Sequence, residues 1–135
     1  MVPYKTTFGS LVARSDCFDA KPPFDLGPAW AAHRDELDLK TPMDFVTTDD
    51  IIGGNSGSPV LDRDLGFVGV IFDGNIQSLV LDFAFTEEQA RAIAVHAGGI
   101  VAGLRRVYGM DGLADELEAG RWRRRAQPPR SRGRR

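Results

Sequence analysis

Apolar and polar positions along this chain change spacing several times, and each change predicts an element. From Met1 to Pro23, β-type residues (Tyr4, Thr6, Thr7, Phe8) mix with Gly9 and run into the breaker Lys21-Pro22-Pro23, which reads as a strand or extended arm followed by a loop. Pro28 suits the first position of a helix, where its fixed φ is helical and its missing N–H costs nothing. Trp30, Ala31, Arg34 and Leu37 then predict a short helix with one apolar face. Asp44 to Thr48 alternates weakly towards a strand.

At Ile51 the texture shifts to glycine turns separated by short apolar runs. Gly53-Gly54-Asn55-Ser56-Gly57-Ser58-Pro59 predicts a tight turn, and Val60-Leu61 begins a strand. Asp62-Arg63-Asp64 supplies a hairpin turn, Gly66 to Phe72 the returning strand, and Asp73-Gly74-Asn75 turns the chain again. Leu79 to Phe85 is another run of strand length, and Thr86 with Gln89 fits a capping box that opens a helical turn. After the strand-like Ala92-Ile93-Ala94-Val95, apolar residues recur at Ile100, Val101, Leu104, Val107 and Tyr108. That spacing predicts a helix with one buried face, stopped by Gly109. Leu113 to Glu118 adds a further turn. The expected fold is mainly antiparallel β with a C-terminal helix.

Composition narrows the size and class. A chain of 135 residues, 42% hydrophobic and 27% charged, supports one modest core and no second one. Its formal net charge of −2 hides an asymmetry: all 19 acidic residues precede Gly120 beside only 9 basic ones, whereas residues 121–135 hold 8 arginines and no acid. That tail, with Pro128 and Pro129, cannot bury apolar surface and is expected to be disordered. Its charge would suit nucleic acid or an anionic membrane. With Trp122 as its one aromatic, however, a solvated or accidental extension is the plainer reading, and nucleic acid is not an expected partner. Cys17 stands alone, so no intrachain disulfide is expected. Two histidines are too few for a zinc site, and no metal or cofactor is expected. Met1 to Ser15 lacks the pattern of a signal peptide, and no run approaches the roughly 20 apolar residues of a membrane span.

The stretch with chemical content is Gly54-Asn55-Ser56-Gly57-Ser58-Pro59. A serine hydroxyl becomes a useful nucleophile only where a tight turn exposes it, backbone N–H groups meet the developing oxyanion, and a base lies within reach. Glycines on both sides of Ser56 permit such a turn, and the N–H groups of Gly54 and Ser56 are candidates for the oxyanion hole. Ser58 stands where a G-x-S-x-G elbow needs its second glycine, which disfavours an α/β-hydrolase. No Lys-Ser or Lys-Thr follows the glycines, which disfavours a phosphate loop. A plain glycine-rich hairpin turn is the alternative.

The residues Thr47-Thr48-Asp49-Asp50-Ile51-Ile52-Gly53-Gly54-Asn55-Ser56-Gly57-Ser58-Pro59-Val60, followed by Gly69-Val70-Ile71-Phe72-Asp73-Gly74-Asn75-Ile76, resemble the serine region of the S46 peptidases, the family of bacterial dipeptidyl-peptidases 7 and 11. The similarity extends from about Pro3 through Arg91-Ala92-Ile93-Ala94-Val95 to Leu104-Arg105-Arg106-Val107-Tyr108-Gly109. Residues 1–118 would then be the C-terminal part of the peptidase domain, and 119–135 the tail. The resemblance implies a chymotrypsin-like double β-barrel, of which this chain is an incomplete part. It also implies release of dipeptides from free peptide N-termini. Ser56 matches the nucleophile and Gly54 with Ser56 the oxyanion amides. Asp73 matches an acid that holds the substrate α-ammonium group. Gly74 matches the position shaping the pocket for the residue before the cut, where glycine goes with hydrophobic side chains. The family also implies a homodimer and a periplasmic or cell-surface location.

Two differences matter. The general base and its carboxylate precede the serine in the chymotrypsin order, and the family's histidine and aspartate match nothing here, so this chain is expected to need the N-terminal part of the peptidase. His33 reads as a solvated helix residue. His96 falls in Val95-His96-Ala97-Gly98, where the family has a Val-Asp-Ser-Arg-like run, and it follows Ser56 in the chain. Asp49-Asp50 reads as a solvated loop, and Phe67, Phe72, Phe83 and Phe85 as core. The competing reading is an inactive remnant that binds peptides or polyanions.

Overall fold

The Thr7 side chain turns the chain from strand into helix within one residue. Its Oγ1 accepts from Ser10 N at 3.2 Å while Ser10 Oγ accepts from Thr7 N at 2.7 Å, a reciprocal cap that satisfies two otherwise orphaned donors. The computed structural model describes residues 4–120. It opens with β1 (Lys5–Thr7) and continues directly into α1 (Phe8–Cys17). The stretch expected as a strand or extended arm is therefore a helix from Phe8 to Cys17. β-type residues at 4 to 8 masked it, and the Thr-x-x-Ser cap was the available signal.

Pro28 does begin α2 (Pro28–Ala32), which runs into a 3-10 turn at Arg34–Glu36. β2 (Pro42–Thr47), β3 (Pro59–Leu61), β4 (Phe67–Gly74) and β5 (Ala92–His96) follow, then α3 (Ala97–Arg106) and α4 (Asp111–Ala119). The five strands form one sheet in the order β1-β2-β5-β4-β3, every pair antiparallel. The antiparallel sheet is as expected. Helix is more abundant than expected, and α4 is a full helix closed by Gly120 at φ 59°.

Residues 79–85 depart from the expected strand. Asn75 caps a 3-10 helix, Ile76–Asp82, through a side chain that accepts from Ser78 N. No strand among the described residues pairs with the run, and several of its apolar side chains face outward: Leu79 is 64% exposed, Phe83 93% and Phe85 61%. Phe67 and Phe72 are likewise exposed and not core. Thr86 Oγ1 accepts from Glu88 N, two residues on, and no helix starts there. The turn expected at Asp73 begins only after Gly74, because β4 runs on through both residues.

Two apolar clusters hold the chain together. Phe8, Leu37 and Val107 join α1, the 3-10 turn region and the end of α3, with Trp30 set edge-on to Phe8 at 5.3 Å. Burying a phenylalanine such as Phe8 contributes about 1.5–3 kcal/mol. Ile71, Ala92 and Ala94 form the second cluster on β4 and β5, covered by Phe45, Ile51 and Val60. Arg105 clamps α3 to α4 through Asp115 and Glu118, each at 2.7 Å. The arginine-rich segment expected to be disordered lies outside the described residues.

Candidate active site

The glycine turn forms where the sequence placed it. Gly54 and Gly57 take φ values of 102° and 93°, a region that residues with a Cβ avoid. Asn55 locks the turn from inside, its Oδ1 accepting from Ile52 N at 2.8 Å. The turn is then docked on β4, with Gly57 N donating to Ile71 O at 2.8 Å and Ile71 N to Ser58 O at 2.9 Å. Asn55 N and Ser58 N also have backbone acceptors. The N–H groups of Gly53, Gly54 and Ser56 have none among the described residues. The turn thus presents unspent donors around an exposed serine.

Ser56 Oγ donates to Phe72 O at 3.3 Å, a long bond that leaves the hydroxyl available. Phe72 is the extra residue of a β-bulge, since Ile71 pairs with Ala94 and Asp73 already with Ile93. In a regular strand Asp73 would share the face of Ile71, which is 4% exposed. The bulge breaks that alternation and leaves Asp73 at the surface. Asp73 Oδ1 accepts from Gly74 N at 2.8 Å, which orients the carboxylate and leaves Oδ2 without a partner among the described residues.

Gly54, Ser56, Asp73 and Gly74 all line one cleft of about 290 Å³. Ile51, Ile52, Ile71, Ile76 and Leu79 supply apolar side chains beside the polar Ser56, Asp73, Asn75 and Ser78, and no cationic side chain among the described residues lines it. A larger groove of about 860 Å³, beside α3 and α4, contains none of the four residues.

The histidines lie elsewhere. His33 Nδ1 is 3.0 Å from Glu36 Oε1. His96 Nδ1 accepts from Gly98 N at 2.9 Å as the N-cap of α3, and the residue pairs with Gly69, towards the opposite end of β4 from Asp73. Asp49 Oδ2 accepts from Thr47 Oγ1 at 2.7 Å in an exposed loop. Sequence reasoning missed Ser78 and Asn75, which build the wall behind Gly74. The only signal was an Asn followed three residues later by Ser, the spacing of a cap.

One cleft thus brings together an exposed serine on a glycine turn, unspent backbone N–H groups and a carboxylate, and no histidine among the described residues lines it. The model of the family described as Peptidase S46 matches residues 1–119. The chain belongs to the peptidase S46 family. Dipeptidyl-peptidase 7 of Capnocytophaga gingivalis is 30% identical over 122 residues, which cover 84% of this chain and 17% of that protein. Dipeptidyl-peptidase 7 of Phocaeicola vulgatus is 41% identical over 76 residues, 56% of this chain and 10% of that protein. The crystal structure of Porphyromonas endodontalis DPP11 superposes with a TM-score of 0.73 at 22% identity, over 85% of this chain and 18% of that one. The chain therefore spans less than a fifth of the length of these relatives.

Proposed function

We propose that this chain carries the nucleophile side of a serine-type dipeptidyl-peptidase site, within residues 1–118 as the C-terminal part of the peptidase domain. The convergence of Ser56, Gly54, Asp73 and Gly74 on one cleft carries this reading. Ser56 Oγ attacks the scissile carbonyl, and the unspent N–H groups of Gly54 and Ser56 receive the oxyanion. Asp73 Oδ2 takes the substrate's free α-ammonium group, which fixes the distance from N-terminus to cut. The base that accepts the Ser56 proton, and returns it to the leaving amine, comes from the part of the peptidase that this chain does not span. The sheet is then a portion of a chymotrypsin-like barrel. The exposed Leu79, Phe83 and Phe85 belong to a face that the preceding part covers.

The residue before the cut is hydrophobic in this reading. The cleft carries four isoleucines, a leucine and Asp73, and among the described residues it offers an acidic side chain no cationic partner. A relative from Shewanella putrefaciens is named an Asp/Glu-specific dipeptidyl-peptidase, and P. endodontalis DPP11 was crystallised with Arg-Asp and Arg-Glu. By the same family reading the protein acts in the periplasm or at the cell surface. No helix among the described residues is long and apolar enough to cross a membrane.

The test is to combine this chain with the remainder of an S46 peptidase and assay dipeptidyl substrates with free and acetylated N-termini. Cleavage of the free form only, lost in Ser56→Ala, supports the reading; activity surviving in Ser56→Ala removes it. The engagement of both histidines away from Ser56 favours a second reading, an inactive peptide-binding remnant, which predicts dipeptide binding without cleavage in the same assay.

A further inference from the structure

Position 74 is glycine for reasons of space. Its φ is not left-handed. A Cβ there would run into Ser78 Oγ and stand 3.2 Å from Ile51 Cδ1. Ser78 is only 9% exposed, yet it lines the cleft that holds Ser56. Its hydroxyl is held in place by donating to Asn75 O at 2.7 Å, and its N–H is bound by Asn75 Oδ1 at 3.1 Å.

Asn75 is itself fastened to the segment entering β5. Its Oδ1 also accepts from Arg91 N at 2.9 Å, its Nδ2 donates to Gln89 O at 2.7 Å, and its backbone N donates to Arg91 O at 3.0 Å. All three atoms are engaged, so the corner cannot slide away from Gly74 without breaking several hydrogen bonds. Ser78 cannot rotate aside without giving up its bond to Asn75 O.

We propose that Ser78, positioned by Asn75, is a second specificity-determining residue: it forms the wall behind Gly74 and sets the size of the side chain accepted beside Ser56. The proposal rests on the cleft being the substrate site. Removing Oγ opens the space behind Gly74, and adding a methyl closes it. Glycine at 74 and serine at 78 then act as one unit, and neither position can be exchanged for a larger residue independently of the other.

Two measurements decide it. A urea-unfolding cycle compares Gly74→Ala, Ser78→Gly and the double variant, with Ser78→Ala as a milder replacement should Ser78→Gly fold poorly. Non-additivity is expected, with the double variant more stable than the sum of the single effects. In the reconstituted peptidase, the ratio of kcat/KM for phenylalanine over valine before the cut should rise about 10-fold in Ser78→Gly or Ser78→Ala and fall in Ser78→Thr, the size of effect one buried carbon produces. Additive stabilities, or cleavage whose ratio is unchanged in these variants, overturns the role of Ser78 and leaves the peptidase reading intact. Absence of wild-type cleavage overturns the peptidase reading and the specificity role with it.

Discussion

Ser56 Oγ and the Phe72 carbonyl oxygen are 3.3 Å apart, joined across a bulge in which Phe72 is the unpaired residue of β4. Ser56 is thus set against an irregular piece of strand, next to the residue that turns Asp73 outward. Such placement of a bulge beside a site re-aims side chains without changing the sheet around them.

Because that bond is long and solvent-exposed, it contributes little to folding. Ser56→Ala should leave the unfolding free energy measured by urea titration unchanged to within about 0.5 kcal/mol. In the reconstituted peptidase the same change should lower kcat by about three orders of magnitude or more. A stability loss parallel to the activity loss would reassign Ser56 to a structural role.

Asp73 tests the hold on the substrate N-terminus. One carboxylate oxygen is occupied by Gly74 N and the other is open, so Asp73→Asn keeps the local bond and removes the charge. A hydrogen bond to a charged group is worth about 1.5–3 kcal/mol, so KM for free-N-terminus substrates should rise about 10- to 100-fold. Equal effects on acetylated and free substrates would sink the assignment.

What the sequence revealed here followed from local chemistry. The glycine turn, the hairpin from β3 to β4 and the existence of α3 were legible because φ > 0, pairing length and helical spacing are written in adjacent residues, although α3 buries Gly99 and Gly103, and Tyr108 past its end is exposed. The bulge at Phe72 was not, since nothing in Val70-Ile71-Phe72-Asp73 marks which residue will be skipped by its partner strand. Residues 79–85 looked like a strand because periodicity cannot distinguish a run that pairs from one that has no neighbour. Of the residues that line the cleft, Ser56 and Gly54 were singled out from the glycine turn, and Asp73 and Gly74 from the family resemblance. Ser78 was not, because its part depends on the absence of a Cβ at Gly74.

Asn75 should be the most costly polar residue to remove at this corner. Asn75→Ala removes the side-chain partners of Arg91 N and Gln89 O and leaves Ser78 N with only its 2.9 Å bond to Asn75 O, for a loss of about 2 kcal/mol. Asn75→Asp keeps both accepted bonds and loses only the one to Gln89 O, so its urea midpoint should fall between wild type and alanine. An alanine variant as stable as wild type would mean that the corner is held by its backbone bonds alone.

Asp44 supplies a pH dependence of defined sign. Half-buried on β2, its carboxyl is pushed up by desolvation, partly offset by a hydrogen bond from Thr6 Oγ1 at 3.4 Å. No cation pairs with it among the described residues. The folded chain therefore holds this proton to a higher pH than the unfolded chain, whose aspartate titrates at about 3.9. The resulting stability is full below that pH and is lost as pH rises through the folded value. The Asp16 carboxyl, lowered by its hydrogen bond with Arg34, acts in the opposite sense, so wild type and variant must be compared at each pH. Asp44→Asn keeps an acceptor for Thr6 and cannot ionise. It should be more stable than wild type at pH 7, with the gap closing below about pH 4. Unfolding midpoints that run parallel from pH 4 to pH 8 would show that Asp44 is solvated in the folded chain, and that the β1–β2 edge is wetter than its burial implies.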